Sequence, residues 1–285
     1  MPIKRIDIDE MLRTKAPGAH KFIPRFILKW VKKIVHESDI NDFLSKNGEK
    51  KGLDFINASI ERLGADIIIK GIENIPKTGG YIFASNHPLG GLDGLAVINS
   101  IAKVRTDIKF FVNELLLALE NLDNILVPVN INGNSTRPML ERVDQIYSSE
   151  MAIPIFPAGL VSRKFKGDEI KDLTWKKSFI TKSKHYHKDI VPIYIEGKNS
   201  RFFYNFASFR KKIGIKINIE MFFLVNEMFN HKDKKVILYF GKPVSYKAFD
   251  KTHNDAEWAN IFRDELYSKK EQIINEPLLS PKNVT

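Results

Sequence analysis

Short, largely β-branched apolar runs recur along the middle of the chain, and the stretches between them carry apolar residues at helical spacing. That alternation constrains the fold more than any other feature. Residues 66–70, 81–85, 108–112, 125–129, 151–156, 190–195 and 235–240 read as strands, with a turn at 77–80. Residues 53–63, 93–102, 114–122, 136–149 and 175–185 read as helices, the first ending on Gly64 as a C-cap. Strands without charge need cover on both faces. The expected class is therefore α/β, a mainly parallel central sheet with helices on both faces. A length of 285 residues is enough for one such domain. It is expected over 66–276, after an N-terminal helical segment at 1–65 and before a disordered tail at 277–285.

The N-terminal segment concentrates charge. Lysine and arginine number 45 against 34 aspartates and glutamates, a net +11. Residues 11–36 hold Arg13, Lys15, Lys21, Arg25, Lys29, Lys32 and Lys33 and no acid. Within them Phe22, Ile23, Phe26, Ile27, Trp30, Val31, Ile34 and Val35 fall on one face of a helix expected to start near Lys21, because Pro24 is tolerated only in a first turn. A basic amphipathic helix with Trp and Phe on its apolar side suits a bilayer interface. The same pattern also suits a helix that packs its apolar face on the core and leaves its lysines in water. A basic surplus fits a polyanionic partner: nucleic acid, an anionic bilayer or an acidic carrier protein. The chain has no cysteine, which excludes disulfides, thiolate metal sites and a cysteine nucleophile. It also lacks an apolar run of membrane-spanning length and a signal-like N-terminus. The expected location is cytoplasmic, peripheral on the inner face of the cell membrane.

Ligands in an open parallel sheet bind beyond the carboxyl ends of the strands. Directly after the strand 81–85 comes Asn86-His87-Pro88-Leu89-Gly90-Gly91-Leu92-Asp93-Gly94. Pro88 biases His87 away from helical geometry, and the glycine pair permits a tight reversal. Such a loop can bring the Asp93 carboxylate to one imidazole nitrogen and leave the other free as a base. The competing reading is a helix-capping Asp93 beside an unrelated surface histidine.

The run Asn86-His87…Asp93 resembles the histidine–aspartate motif of the glycerophospholipid (lysophospholipid) acyltransferase superfamily, the 1-acylglycerol-3-phosphate acyltransferase-like proteins. Phe156-Pro-Ala-Gly-Leu-Val-Ser-Arg163 resembles that family's Phe-Pro-Glu-Gly-Thr-Arg-Ser block, and Ile190-Val-Pro-Ile-Tyr-Ile-Glu-Gly197 its later strand block. Order and spacing agree over about 66–245. The family usually has four residues between His and Asp, and here there are five. The whole string is similar to a hemolysin-like subgroup, itself similar to O-acyltransferases of ornithine and glycine lipids. Ala158 stands where the family has glutamate, and Leu160-Val161 where it has Thr-Arg, so its phosphate-recognising arginine is displaced or absent. Glycerol 3-phosphate and lysophosphatidate are thereby in doubt as acceptors.

The resemblance implies an acyltransferase-like fold and an O-acyltransferase. It would move a fatty acyl group from acyl-CoA or acyl-acyl carrier protein to the hydroxyl of a lysolipid, a lyso-aminolipid or a lysophospholipid. His87 and Asp93 are the implied catalytic pair, and Asn86, Gly90, Gly91, Arg137, Gly159, Ser162 and Arg163 the implied substrate-binding set. Direct attack by the acceptor is simpler than an acyl-enzyme, with backbone amides of Gly90-Gly91 or the helix start on the oxyanion. Arg163 with Ser162, then Arg137, are the candidates for the acceptor's anionic head, since arginine grips carboxylate or phosphate bidentately. No tightly bound cofactor is expected, nor a metal, because no acid or cysteine completes a site around His185 and His187. The expected partners are an anionic membrane surface, acyl carrier protein and the lysolipid acceptor, and nucleic acid is not among them. The aromatic and basic stretch 201–212 suits a lipid entrance, stacking on single-stranded nucleic acid, or plain core, and 221–225 suits core or the wall of an acyl-chain tunnel. The rival functions are a lipid esterase using the same pair, a non-catalytic basic membrane- or nucleic-acid-binding protein, and a family member that has lost its chemistry.

Overall fold

The computed structural model describes residues 5–15, 17–21, 23–113, 120–129, 136–215 and 218–280. In chain order the elements are α1 (Ile8–Lys15), α2 (Pro17–His20), α3 (Arg25–Ile34), α4 (Glu37–Asn47), α5 (Gly52–Leu63), β1 (Asp66–Lys70), β2 (Tyr81–Ser85), α6 (Gly91–Ala102), β3 (Phe110–Asn113), β4 (Leu126–Val129), α7 (Arg137–Ser148), β5 (Ala152–Ile155), β6 (Arg163–Lys164), β7 (Ile170–Lys171), α8 (Ser178–Tyr186), β8 (Ile190–Glu196), α9 (Arg201–Lys212), α10 (Phe223–Asn230), β9 (Lys235–Phe240) and α11 (Asp255–Ser268). The central sheet has five strands in the order β1-β9-β8-β2-β5. All its pairs are parallel except β8 with β9. A parallel β3–β4 pair continues it through a bridge from Ile108 to Ala152.

Alternation along β2 shows how the layers form. Phe83 enters one core with Phe55 and Ile56 of α5 and Val97, Ile98 and Ile101 of α6. Ile82 and Ala84 enter the other, with Phe179 of α8 and Trp258, Phe262 and Leu266 of α11. Helices thus cover both faces, as the uncharged strands require. The α5 helix ends on Gly64 in the left-handed region, its amide returning to Glu61 and Ile60 carbonyls. Because Phe55 and Ile56 are buried in the sheet's own core, α5 is one of its covering helices. A third, smaller cluster joins Val161, Phe203, Tyr204 and Phe223.

Several expectations are corrected. The strand expected at 108–112 runs over Phe110–Asn113. The helix at 114–122 is largely outside the described residues, and its end, Glu120–Leu122, is a single 3-10 turn. Leu278 is buried in the second core, so the chain is ordered past the start of the expected tail, and residues 281–285 lie outside the described ones. The amphipathic N-terminal helix starts at Arg25, after Pro24; Phe22 lies outside the described residues. Helices α9, α10 and α11 were not anticipated. Among the described residues no helix is long and apolar enough to cross a membrane.

Candidate active site

The loop between β2 and α6 lies at the carboxyl end of the parallel strands. Asn86 extends the ladder past Ser85: its Nδ2 donates to the Ile195 carbonyl (2.9 Å) and its Oδ1 accepts the Ile195 amide (2.6 Å). Asn86 is therefore a structural clasp between β2 and β8, buried and with both amide atoms engaged, rather than a substrate ligand. The loop turns on Gly90, at φ 84 and ψ −130, which a side chain would not adopt without strain. Asn199 braces it by donating Nδ2 to the Pro88 carbonyl at 3.0 Å.

Asp93, in the first turn of α6, is fully buried. Its Oδ2 accepts three hydrogen bonds, from His87 Nδ1 (2.9 Å), Leu89 N (2.8 Å) and Gly90 N (3.1 Å). Burial pushes its carboxyl above the usual carboxylate range, against the opposing pull of His87 and the two amides. An acceptor at Oδ2 requires the proton on Nδ1, so the lone pair of His87 is on Nε2. The His87 side chain keeps 16% exposure and stacks on Phe156, centroids 4.0 Å apart at 12°.

A second carboxylate holds His87 from behind. Asp172 Oδ1 accepts the His87 amide (3.2 Å) and the Ser162 hydroxyl (2.6 Å), while Oδ2 accepts Trp175 Nε1 (2.9 Å). The Ser162 amide donates to the His87 carbonyl at 2.8 Å, so both main-chain groups of His87 are engaged. The Asp172 amide in turn donates to the Tyr267 hydroxyl (2.9 Å), whose pKa burial raises well beyond its ordinary value. Asp172 was missed in the sequence: it lies 85 residues from His87, in a stretch with no motif of its own.

Arg163 sits beside that brace. Its Nη2 donates to Glu220 Oε1 (3.0 Å), its Nη1 to the Val161 carbonyl (3.2 Å), and its guanidinium lies 5.7 Å from the Phe203 ring centre. Arg210 holds the same carboxylate, Nη2 to Oε1 at 3.1 Å and Nε against Oε2 at 2.7 Å. Glu220 is completely buried. Two guanidiniums share one carboxylate, a formal excess of +1, and burial pulls the Arg163 pKa down.

The other expected ligands divide. Ser162 spends its hydroxyl on Asp172, so it braces His87 instead of facing an acceptor. The Gly90 amide is committed to Asp93, which rules it out for an oxyanion, whereas Gly91 opens α6, where an N–H has no acceptor within the helix. Gly159, at φ +67, closes the turn after Phe156 with Lys176 Nζ nearby. Arg137 is not brought in: its side chain is 90% exposed and pairs with Glu141 on α7. His185 and His187 face different partners, Tyr186 and Tyr246.

The sequence pattern of the family described as Acyltransferase matches residues 10–275. Two curated relatives are each called lyso-glycine lipid O-acyltransferase. The protein from Phocaeicola vulgatus is 44% identical over 263 residues, 92% of this chain and 94% of its own length. The protein from Bacteroides thetaiotaomicron is 44% identical over 263 residues, 92% of this chain and 96% of its own. Among solved structures, the 1-acyl-sn-glycerophosphate acyltransferase PlsC from Thermotoga maritima is similar at 16% identity and a TM-score of 0.45, over 92% of this chain and 93% of that one.

Proposed function

The chain belongs to the acyltransferase family and is an acyltransferase, and from that premise we propose that it acylates the hydroxyl of a lyso-glycine lipid, taking the acyl group from a thioester. The observation that carries the chemistry is the 2.9 Å bond from His87 Nδ1 to Asp93, which leaves Nε2 as the base at the mouth of the sheet. The acceptor hydroxyl gives its proton to Nε2 as its oxygen forms a bond to the thioester carbonyl carbon. Asp93 stabilises the imidazolium so formed, and the Gly91 amide is the assigned donor to the tetrahedral oxyanion. The carbon–sulfur bond then breaks, and the departing thiolate takes the proton from Nε2. Coenzyme A or acyl carrier protein carries the thioester, and the basic surface suits either acidic donor.

Arg163 is the assigned head-group ligand. A glycine linked through its nitrogen to an acyl chain presents one carboxylate and no cation. The Arg163–Glu220–Arg210 cluster has one positive charge in excess, and Arg163 retains donors beyond those given to Glu220 and Val161. An ornithine head would add an ammonium that this cluster repels.

The test is mass spectrometry of products from purified protein given acyl-CoA or acyl-acyl carrier protein, with lyso-glycine lipid, lyso-ornithine lipid or lysophospholipid. A diacyl product favouring the glycine lipid and lost in His87→Ala is expected. In Arg163→Gln, Glu220 keeps Arg210, so the fold should hold while the acceptor KM rises at least tenfold. A diacyl product that survives His87→Ala would sink the mechanism. Free fatty acid alone, also His87-dependent, would replace transfer with hydrolysis.

A further inference from the structure

Seven large apolar side chains among the described residues are more than half exposed, and six of them lie on α3, α9 and the turns after it: Phe26, Trp30, Phe202, Phe209, Ile213 and Phe222. Helix α9 is apolar on two faces. Phe203, Tyr204 and Ala207 are buried, while Phe202, Phe209 and Ile213 face outward along a second stripe, with the half-buried Phe206 between them packed on the third cluster. The two helices come together through one ring, Phe223. Trp30 meets it edge-on with centroids 5.8 Å apart, and Phe202 at 5.1 Å. A contiguous exposed patch of this kind on a folded chain marks an interaction surface.

Its charge selects the partner. Neither α3 nor α9 contains a single acid, and the exposed bases are Arg25, Lys29, Lys33, Arg201, Lys211 and Lys212. A second copy of this chain would bring the same bases, and a net +11, onto itself. Exposed aromatic rings among bases that outnumber the neighbouring acids, Asp168 near Arg201 and Asp7 and Glu37 at Lys32, fit the headgroup region of an anionic bilayer. We infer that the membrane-docking face is this composite of α3, α9 and the turn Ile219–Phe222, and is not the N-terminal helix alone. The face backs directly onto the active loop: Leu224, next to Phe223, lies 3.3 Å from where a Cβ on Gly90 would stand. A chain seated on the bilayer through these rings holds the His87 loop one helix away from the acceptor's own phase.

This extends the lysolipid reading, and vesicle binding measured without turnover lets the two fail separately. The full chain is sedimented with vesicles of phosphatidylcholine, with and without phosphatidylglycerol. Two double variants are compared, Phe26→Ser with Trp30→Ser on α3, and Phe209→Ser with Phe222→Ser on the second half. All four positions are more than half exposed, so circular dichroism should stay at the parent signal and Tm at the parent value for the second pair, with a small fall for the first from the lost Trp30–Phe223 contact. Each pair should lower partitioning into phosphatidylglycerol vesicles at least tenfold, and their combination should abolish it. Binding by the Phe209/Phe222 pair equal to the parent's would overturn the composite face. So would a vesicle-free dimer, seen by sedimentation equilibrium, that the four-site variant dissolves.

Discussion

Replacing Asp93 separates what its charge does from what its shape does. Three N–H groups converge on Oδ2, and Oδ1 has no hydrogen-bond partner among the described residues. In Asp93→Asn the carbonyl oxygen therefore takes the Oδ2 position and the NH2 takes the other. The loop keeps its two amide bonds and Nδ1 of His87 keeps its proton and its acceptor, while the negative charge is lost. The buried NH2 meets no acceptor among the described residues, a cost to stability that does not vary with pH. A hydrogen bond to a charged partner contributes about 1.5–3 kcal/mol against about 0.5–1.5 for a neutral one. The transition state should rise by about 1–2 kcal/mol, roughly 5- to 30-fold in kcat. Asp93→Ala is different in kind. It strands the Leu89 and Gly90 amides, at about 1–3 kcal/mol each, and releases the histidine as well.

Stability should move the other way for the asparagine. Burial raises the Asp93 pKa above its unfolded value, so the folded state binds that proton more tightly than the unfolded chain does. The contribution of Asp93 to stability then falls as pH rises from the ordinary value of 3.8 through the folded one. Asparagine has no such loss. The Tm of Asp93→Asn should gain on the parent between pH 4 and pH 7, while that of Asp93→Ala stays well below both. Scanning fluorimetry across pH and steady-state transfer kinetics measure the two halves. A fall in kcat of about four orders for Asp93→Asn would show that its amide nitrogen faces His87. That result would refute the claim that three converging donors fix the orientation. Full activity would remove the charge from the mechanism.

The brace behind His87 gives a second test. In Asp172→Asn the amide can still accept from His87 and Ser162 but sets its NH2 against Trp175 Nε1–H, stranding a buried donor at about 1–3 kcal/mol. Adding Trp175→Phe removes that donor, so kcat lost in the single variant should partly return in the double one, with the acceptor KM unchanged throughout. If kcat stays at the parent value while Tm falls, Asp172 supports the fold and does not position the base. The glycine pair gives a third: Gly90→Ala meets both a positive φ and Leu224, and should cost about 1–2 kcal/mol and most of kcat. Gly91→Ala, on ordinary helical backbone with Met228 sulfur 3.5 Å away, should be close to silent by both Tm and kcat.

What the sequence makes legible is local. The β2 strand was read at its observed limits, because five residues without charge end at a loop rich in proline and glycine. The His87–Asp93 pair was legible because six positions and one reversal separate its members. The antiparallel pairing of β8 with β9 was not, since a strand buried on both faces looks alike in either direction. Helix α9 hides for a related reason: apolar residues on two faces blur the periodicity that marks one. For α11 the signal is present in the sequence. Asn254 and Glu257 form a capping box, and Trp258, Phe262 and Leu266 keep one face. Asp172, Asn199 and Glu220 could not be found this way, because each acts on a partner far along the chain.

The departures from the family's Phe-Pro block have a physical origin in this packing. Ala158 is buried among the apolar side chains of the second core, where a glutamate would lose its hydration. Val161 is completely buried in the third cluster, so an arginine at that position would have no route to solvent or ligand. Arg163 is the cation of this block that keeps partial exposure, and it does so with Glu220 and Arg210 around it. Under the proposed assignment, recognition of an anion moves along the chain to a site of different charge balance, a guanidinium already half satisfied by a buried carboxylate. That balance suits a carboxylate better than a doubly charged phosphate. The residue before it, Ser162, donates its amide to the His87 carbonyl at 2.8 Å. His87 and Arg163, the proposed base and head-group ligand, are therefore tied to one another through that hydrogen bond and the adjoining peptide. With the roles proposed for His87 and Arg163, the span between acceptor hydroxyl and carboxylate is set by this backbone, and a lysolipid of the wrong span should fail to reach both.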